Sequence, residues 1–179
     1  MMESDNTLFV FIDVQGKLAE MMYDKENLFD NLRRVIEGVH ALKLPVIWTE
    51  QNPAKVGKTV PEFARMLHPA RPLSKMTFSC CGSDSFMALL ERVGRRQIVL
   101  AGMETHVCVY QTARDLKERG FEVEVLADAV SSRTAANKQF GLDKIRSCGI
   151  ALTTVESLLF ELMRSADHPA FKQVLAAIK

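Results

Sequence analysis

The sequence has no long apolar run. Its longest stretches, Leu8 to Ile12 and Ile98 to Ala101, fall far short of the roughly 20 residues that a membrane-spanning helix needs. It also lacks an excess of either charge: Lys and Arg number 23 against 22 Asp and Glu, a formal net charge of +1. That balance gives no general attraction to nucleic acid or anionic lipid, so neither nucleic acid nor membrane is expected as a partner. A secretory leader, basic and then apolar, is not expected from the first residues. Met1-Met2-Glu3-Ser4-Asp5-Asn6 is acidic and polar, and a cytoplasmic location is expected. Cysteine is sparse. Cys80, Cys81, Cys108 and Cys148 have neither paired C-x-x-C spacing nor the density of a secreted disulfide scaffold, which predicts reduced thiols and no structural zinc. The glycine-rich phosphate loop of dinucleotide-binding proteins is missing too. Asp13-Val14-Gln15-Gly16 puts a carboxylate where a cofactor's pyrophosphate would sit, so no cofactor is expected.

What is present is the composition of an ordinary globular protein, 47% hydrophobic and 25% charged over 179 residues. The length suits one domain over 1–179, without internal repeat, low-complexity tract or linker.

Short β-rich runs alternate with longer segments of helical period. Thr7 to Ile12 reads as a first strand, Val46 to Thr49 as a second, Leu73 to Thr77 as a third, Gln97 to Ala101 as a fourth, Phe121 to Leu126 as a fifth and Ile150 to Thr153 as a sixth. Leu28, Leu32, Val35, Ile36, Val39 and Leu42 recur at helix-face spacing between Glu26 and Lys43. Gln51 to Thr59 reads as a loop and Val60 to Leu67 as a short helix. Further helices are expected from Ser83, with its hydroxyl as cap, over Val107 to Arg119 and Thr134 to Arg146, and from Thr154 and Phe171 to the end. Such alternation predicts an α/β three-layer, doubly wound Rossmann-like fold. The expected sheet is six-stranded and mainly parallel, in the order 3-2-1-4-5-6, with helices on both faces. Ligands of such sheets bind beyond the carboxyl ends of the strands, where the winding reverses between the first and fourth.

Three reactive side chains lie just past those ends: Asp13 after the first strand, Lys75 near the third and Cys108 after the fourth. Placing Cys108 at the start of a helix predicts a lowered thiol pKa, because unpaired backbone N–H groups stabilise an anion there. A cysteine nucleophile needs a base, and a buried thiolate beside a carboxylate needs a cation, so this trio suits nucleophilic catalysis.

The motifs Asp13-Val14-Gln15, Ser74-Lys75, Gly102-Met103-Glu104-Thr105-His106-Val107-Cys108-Val109 and Asp128-Ala129-Val130-Ser131-Ser132 stand in the order and spacing of the isochorismatase-like cysteine hydrolases. The resemblance spans nearly the whole chain. Within that family the chain is similar to a small group carrying Thr49-Glu50-Gln51-Asn52-Pro53 and Gly57-Lys58-Thr59-Val60-Pro61-Glu62. The resemblance implies a catalytic triad: Cys108 as nucleophile, Asp13 as its proton acceptor and Lys75 holding their charges. It also implies an oxyanion hole from the backbone N–H groups of Glu104 and Cys108, a cis peptide between Met103 and Glu104, and a homo-oligomer, dimer or larger. The expected reaction is hydrolysis of a small carbonyl substrate at an amide-type C–N bond through a Cys108 thioester. Two departures narrow it. Nicotinamidases of the family carry an Asp-x-His pair after the second strand to hold a metal; here Glu50-Gln51-Asn52 offers no histidine, so no metal is expected. True isochorismatases cleave a vinyl ether without a cysteine nucleophile, so Cys108 points to carbonyl chemistry.

The pocket candidates are Gln15, Trp48, Gln51, Phe78, Cys81, Thr105 and His106. Gln15 is expected to orient Asp13, Trp48 suits the core as well as a pocket edge, and Asp128 suits a loop anchor. An apolar face on the C-terminal helices is expected to be exposed and to promote self-association. Two other readings stay open: a non-catalytic binding or scaffold protein, and a thiol redox sensor pairing Cys108 with a second cysteine.

Overall fold

Each β-rich run becomes a strand of one sheet in the computed structural model, which describes residues 1–179. In chain order the elements are β1 (Thr7–Ile12), α1 (Gly16–Glu20), α2 (Lys25–Ala41), β2 (Val46–Gln51), α3 (Pro53–Val56), α4 (Pro61–Met66), β3 (Leu73–Lys75), α5 (Asp84–Val93), β4 (Gln97–Met103), α6 (Tyr110–Glu118), β5 (Glu122–Ser131), α7 (Ala135–Ser147), β6 (Ala151–Thr153), α8 (Val155–Met163) and α9 (Phe171–Ile178). A 3-10 turn over Cys80–Gly82 precedes α5, and a π-helical turn over Thr105–Val109 precedes α6. The sheet has the expected order, β3-β2-β1-β4-β5-β6, and every pairing is parallel. No helix is long and apolar enough to cross a membrane.

Strand alternation sorts the core into two layers. Phe9 and Phe11 point to one face, where Leu32, Val35, Ile36 and Val39 of α2 meet Leu158, Leu159 and Leu162 of α8. Leu8, Val10 and Ile12 point to the other, against Phe86 and Leu90 of α5, Ala113 and Leu116 of α6, and Leu142 and Ile145 of α7. Burying each large side chain contributes about 1.5–3 kcal/mol, so both faces of the sheet are covered for the same physical reason.

At the winding reversal, β1 and β4 are neighbours in register, Ile12 opposite Gly102. Gly102 has φ +122°, and a Cβ there would fall 2.1 Å from the Ile12 carbonyl oxygen. Only glycine lets the two strand ends approach so closely.

Several expectations need correction. The loop after β2 contains the short helix α3, and Gly16–Glu20 forms α1, which is too short to show a helical period. The Ser83 hydroxyl caps no backbone group and meets Ser85 Oγ at 3.0 Å. β5 runs on to Ser131, its pairing with β4 shifting between Leu100 and Gly102. Most of the C-terminal apolar face is packed within the chain: Val174 is buried and Phe171 and Ile178 pack, partly buried, on the α2 and α8 layer, while Phe160 of α8 stays exposed.

Candidate active site

Asp13 ends β1 in the left-handed region, φ +54°, a conformation that Asp tolerates better than most residues. Continued alternation would send its side chain to the Phe11 face. The left-handed turn instead lets its carboxylate meet side chains from β2 and β3. Oδ1 accepts a hydrogen bond from Thr49 Oγ1 at 2.7 Å, and Oδ2 accepts one from Lys75 Nζ at 2.6 Å. Lys75 closes β3, beside Gln51 at the end of β2. Its ammonium also donates to Gln51 Oε1 at 2.8 Å and lies 3.2 and 3.1 Å from the carbonyl oxygens of Thr77 and Phe78.

Cys108 lies inside the π-helical turn rather than at the first position of an α-helix, and it is 7% exposed. Irregular helical turns of this kind recur at functional sites. The expected lowering of its pKa is reversed: burial is the largest influence and pushes the Cys108 thiol up, the Asp13 charge pushes the same way, and Lys75 opposes them. Desolvation of a would-be thiolate outweighs the local backbone dipoles. Burial therefore favours the protonated thiol in a cavity that it shares with the Asp13 carboxylate.

Asp13, Gln15, Gln51, Phe78, Glu104 and Cys108 line one cavity of about 170 Å3, together with Leu18, Val56, Met103 and Val107. The other pocket candidates lie elsewhere. Trp48 is buried on the Phe11 face, and Cys81 packs under α5 and α6. Thr105 is fully buried, and His106 Nδ1 meets Ser132 Oγ at 2.9 Å. Gln15 does not orient Asp13. Its Nε2 donates to the carbonyl oxygens of Gln51 (3.1 Å) and Gly57 (2.6 Å), and its Oε1 accepts from the Gln51 N–H at 2.6 Å. It thereby holds the segment after β2 against the α1 turn. Thr49 is the residue that positions the Asp13 carboxylate. Its place at the carboxyl end of a strand beside the reversal was the available signal.

The turn that carries Cys108 is braced from outside. The Met103–Glu104 peptide is cis. The Glu104 carboxylate accepts from Arg133 Nε at 3.0 Å. Gly141 of α7 lies under the turn, where a Cβ would come 2.7 Å from His106 N and 2.8 Å from the Thr105 carbonyl carbon. Asp128 acts as an anchor: its carboxylate oxygens accept from Val155 N–H at 3.0 and 3.1 Å, and its carbonyl accepts from Asn31 Nδ2 at 3.0 Å. No group of three His, Cys, Asp or Glu side chains gathers as a set of metal ligands.

A doubly wound parallel sheet with a buried Asp, Lys and Cys at its reversal defines a hydrolase-type α/β fold. The chain belongs to the isochorismatase domain family, which it matches over residues 7–157. It is 38% identical over 177 residues to isochorismatase domain-containing protein 1 of Salmo salar, an alignment that takes in 97% of this chain and 61% of that protein. The chain thus spans about three-fifths of that relative's length. It is also 34% identical to isochorismatase domain-containing protein 2 of Danio rerio, covering 97% of this chain and 87% of the relative. Among solved structures, one titled MAR1 ribonuclease from Caenorhabditis elegans superposes with a TM-score of 0.92 at 35% identity, covering 99% of this chain and 91% of that one.

Proposed function

We propose that this chain is a cysteine-dependent hydrolase of a small carbonyl compound, cleaving an amide-type C–N bond. The observation that carries the reading is the convergence of Asp13, Lys75 and Cys108 from three strand ends, with Asp13 and Cys108 lining the same cavity. Because burial favours the protonated thiol, a base must remove its proton as the sulfur attacks, and Asp13 is the carboxylate that shares its cavity. Cys108 Sγ adds to the carbonyl carbon while Asp13 takes the thiol proton. The backbone N–H groups of Glu104 and Cys108 receive the oxyanion. Collapse breaks the C–N bond, Asp13 returns the proton to the departing amine, and a thioester remains on Cys108. Water then adds to the thioester, giving up its proton to Asp13, and the tetrahedral adduct expels the sulfur, which takes that proton back from Asp13 to restore the thiol. The sum is amide plus water to carboxylic acid plus amine. Throughout, Lys75 holds the Asp13 carboxylate in place and offsets negative charge in a site with little water.

The test is turnover of small amides by the wild-type chain and Cys108→Ala, with iodoacetamide labelling followed by intact-mass measurement. Loss of both turnover and stoichiometric labelling in the variant is the expected result. Turnover that survives in Cys108→Ala overturns the mechanism. The name of the nematode neighbour supplies a second reading, RNA cleavage. The cavity favours it less, because its one nearby ammonium, Lys75, is already bonded to protein oxygens. Release of fragments from RNA by the wild-type chain but not by Cys108→Ala would favour that reading. The proposal also includes a cytoplasmic enzyme that self-associates. Exposed Met76 and Phe78 beside the site are its apolar surface, and sedimentation velocity reads the assembly state directly.

A further inference from the structure

We infer that the cavity beside Cys108 selects an uncharged substrate that places a short aliphatic group against its walls, and that it rejects the corresponding carboxylate. This deepens the hydrolase reading and rests on it. It is argued, however, from groups other than the nucleophile.

Size comes first. The cavity measures about 170 Å3, below the roughly 300–1,000 Å3 of pockets that enclose drug-sized ligands. Its room therefore suits a short aliphatic group placed beside the reactive carbonyl.

The walls also set polarity. Leu18 of α1, Val56 of α3, Phe78, Met103 and Val107 supply apolar surface from five separate segments. The polar side chains in this lining, and Lys75 behind Asp13, are already engaged. Lys75 has three protons to give and four protein oxygens around them: Asp13 Oδ2, Gln51 Oε1 and the Thr77 and Phe78 carbonyls. Gln15 spends both ends of its amide on Gln51 and Gly57. Gln51 accepts from Lys75 and donates to the Met76 carbonyl at 2.8 Å. Glu104 is tied to Arg133, which does not line the cavity.

A carboxylate entering this space would find no uncommitted cationic side chain, because Lys75 and Arg133 already pair with Asp13 and Glu104, and it would give up hydration to apolar walls with no charge to replace it. A site built this way discriminates against a charged ligand. An ammonium-bearing substrate would lose its hydration to apolar walls whose two carboxylates already hold cations. A neutral carbonyl compound avoids both costs and presents its one reactive group to Cys108.

Ligand-observed saturation-transfer NMR on the full chain tests this with three probes of similar size at pH 7: isobutyramide, isobutyrate and protonated glycinamide. The expected result is binding of isobutyramide at least about tenfold tighter than either charged probe, in wild type and in Cys108→Ala alike. Leu18→Lys should reverse the order of isobutyramide and isobutyrate by putting an unpaired ammonium into the cavity. Val56→Lys provides the same reversal should the first variant fold poorly. Equal or preferred binding of a charged probe by the wild-type chain overturns the inference, and so does binding of none of the three. Because binding does not need the thiol, failure of turnover with the expected binding order would count against the hydrolase reading alone.

Discussion

Lys75 Nζ sits 2.6 Å from Asp13 Oδ2, with side-chain exposures of 1% and 5%. Removing one member of a buried pair leaves an uncompensated charge and costs about 3–5 kcal/mol. Lys75→Met should therefore lower unfolding free energy by about that amount. Asp13→Asn with Lys75→Met should cost less than the sum of the two singles, by about 1 kcal/mol or more. Urea titrations of the four chains measure this. An additive result would mean the pair contributes little beyond its separate parts.

The ionisation of Cys108 gives a prediction with a definite sign. Burial and the Asp13 charge raise the thiol pKa, and Lys75 lowers it. Asp13→Asn removes the second upward influence, so the thiolate should appear at lower pH than in wild type while turnover is lost. Mass-resolved alkylation of Cys108 across pH follows the midpoint. An unchanged or raised midpoint would show that the carboxylate does not act on the sulfur.

Stability at alkaline pH follows from the same burial. Cys80 is pushed up to about 12 and Cys81 to about 11 from an ordinary 9.0, both chiefly by burial, and Cys108 is raised as well. In the unfolded chain these thiols ionise near 9, so above that pH the native state binds more protons and stability falls as pH rises. The contribution is complete below pH 9 and is lost as pH climbs toward 12. Fully buried Cys80 alone accounts for up to about 1.4 kcal/mol per pH unit in that window. Denaturant titrations between neutral pH and pH 11 should show the decline, and Cys80→Ala should show a shallower one.

Thr49 is a positioning residue in the proposed mechanism, acting through Asp13. Thr49→Val keeps the shape and removes the 2.7 Å bond to Oδ1. A hydrogen bond of about 1.4 kcal/mol, if realised in the transition state, corresponds to about tenfold in rate. We expect kcat to fall by about that factor with KM little changed, and Thr49→Ser to restore it. Loss of stability without a change in kcat would reduce Thr49 to a packing role.

Gly141 tests the brace beneath the Cys108 turn. A Cβ there meets only backbone atoms of Thr105 and His106, at 2.7 to 2.9 Å, so the turn itself must move. Gly141→Ala should cost about 1–3 kcal/mol as overpacking does, and should slow Cys108 alkylation although residue 141 does not line the cavity. An alkylation rate equal to wild type would show that the turn holds its geometry without this contact.

The outline of the fold was legible because its signals are local and repeated. Leu8 to Ile12 and Ile98 to Ala101 are apolar throughout, as strands covered on both faces must be, and the period of α2 is unbroken from Leu28 to Val39. Short or irregular elements carry no such period. α1 and α3 have five and four residues, and the π-helical turn around Cys108 is indistinguishable in sequence from the start of α6. The long run of β5 to Ser131 depends on its pairing with β4 and on Asp128 reaching α8, neither of which is a local property.

At the site, the sequence by itself determined which reactive side chains end the strands and that the winding reversal would bring Asp13 and Cys108 to one place. The tertiary structure decided the rest. It put Trp48 in the core, gave Gln15 to the β2 loop rather than to Asp13, and packed most of the C-terminal apolar face within the chain. Above all, it made Cys108 a raised thiol where its position along the chain suggested a lowered one. The physical reason is that chain position reports the local dipole of a helix start, whereas a pKa is set by all the charge and solvent around the atom. Here burial and a carboxylate from a strand about a hundred residues earlier outweigh the nearest backbone.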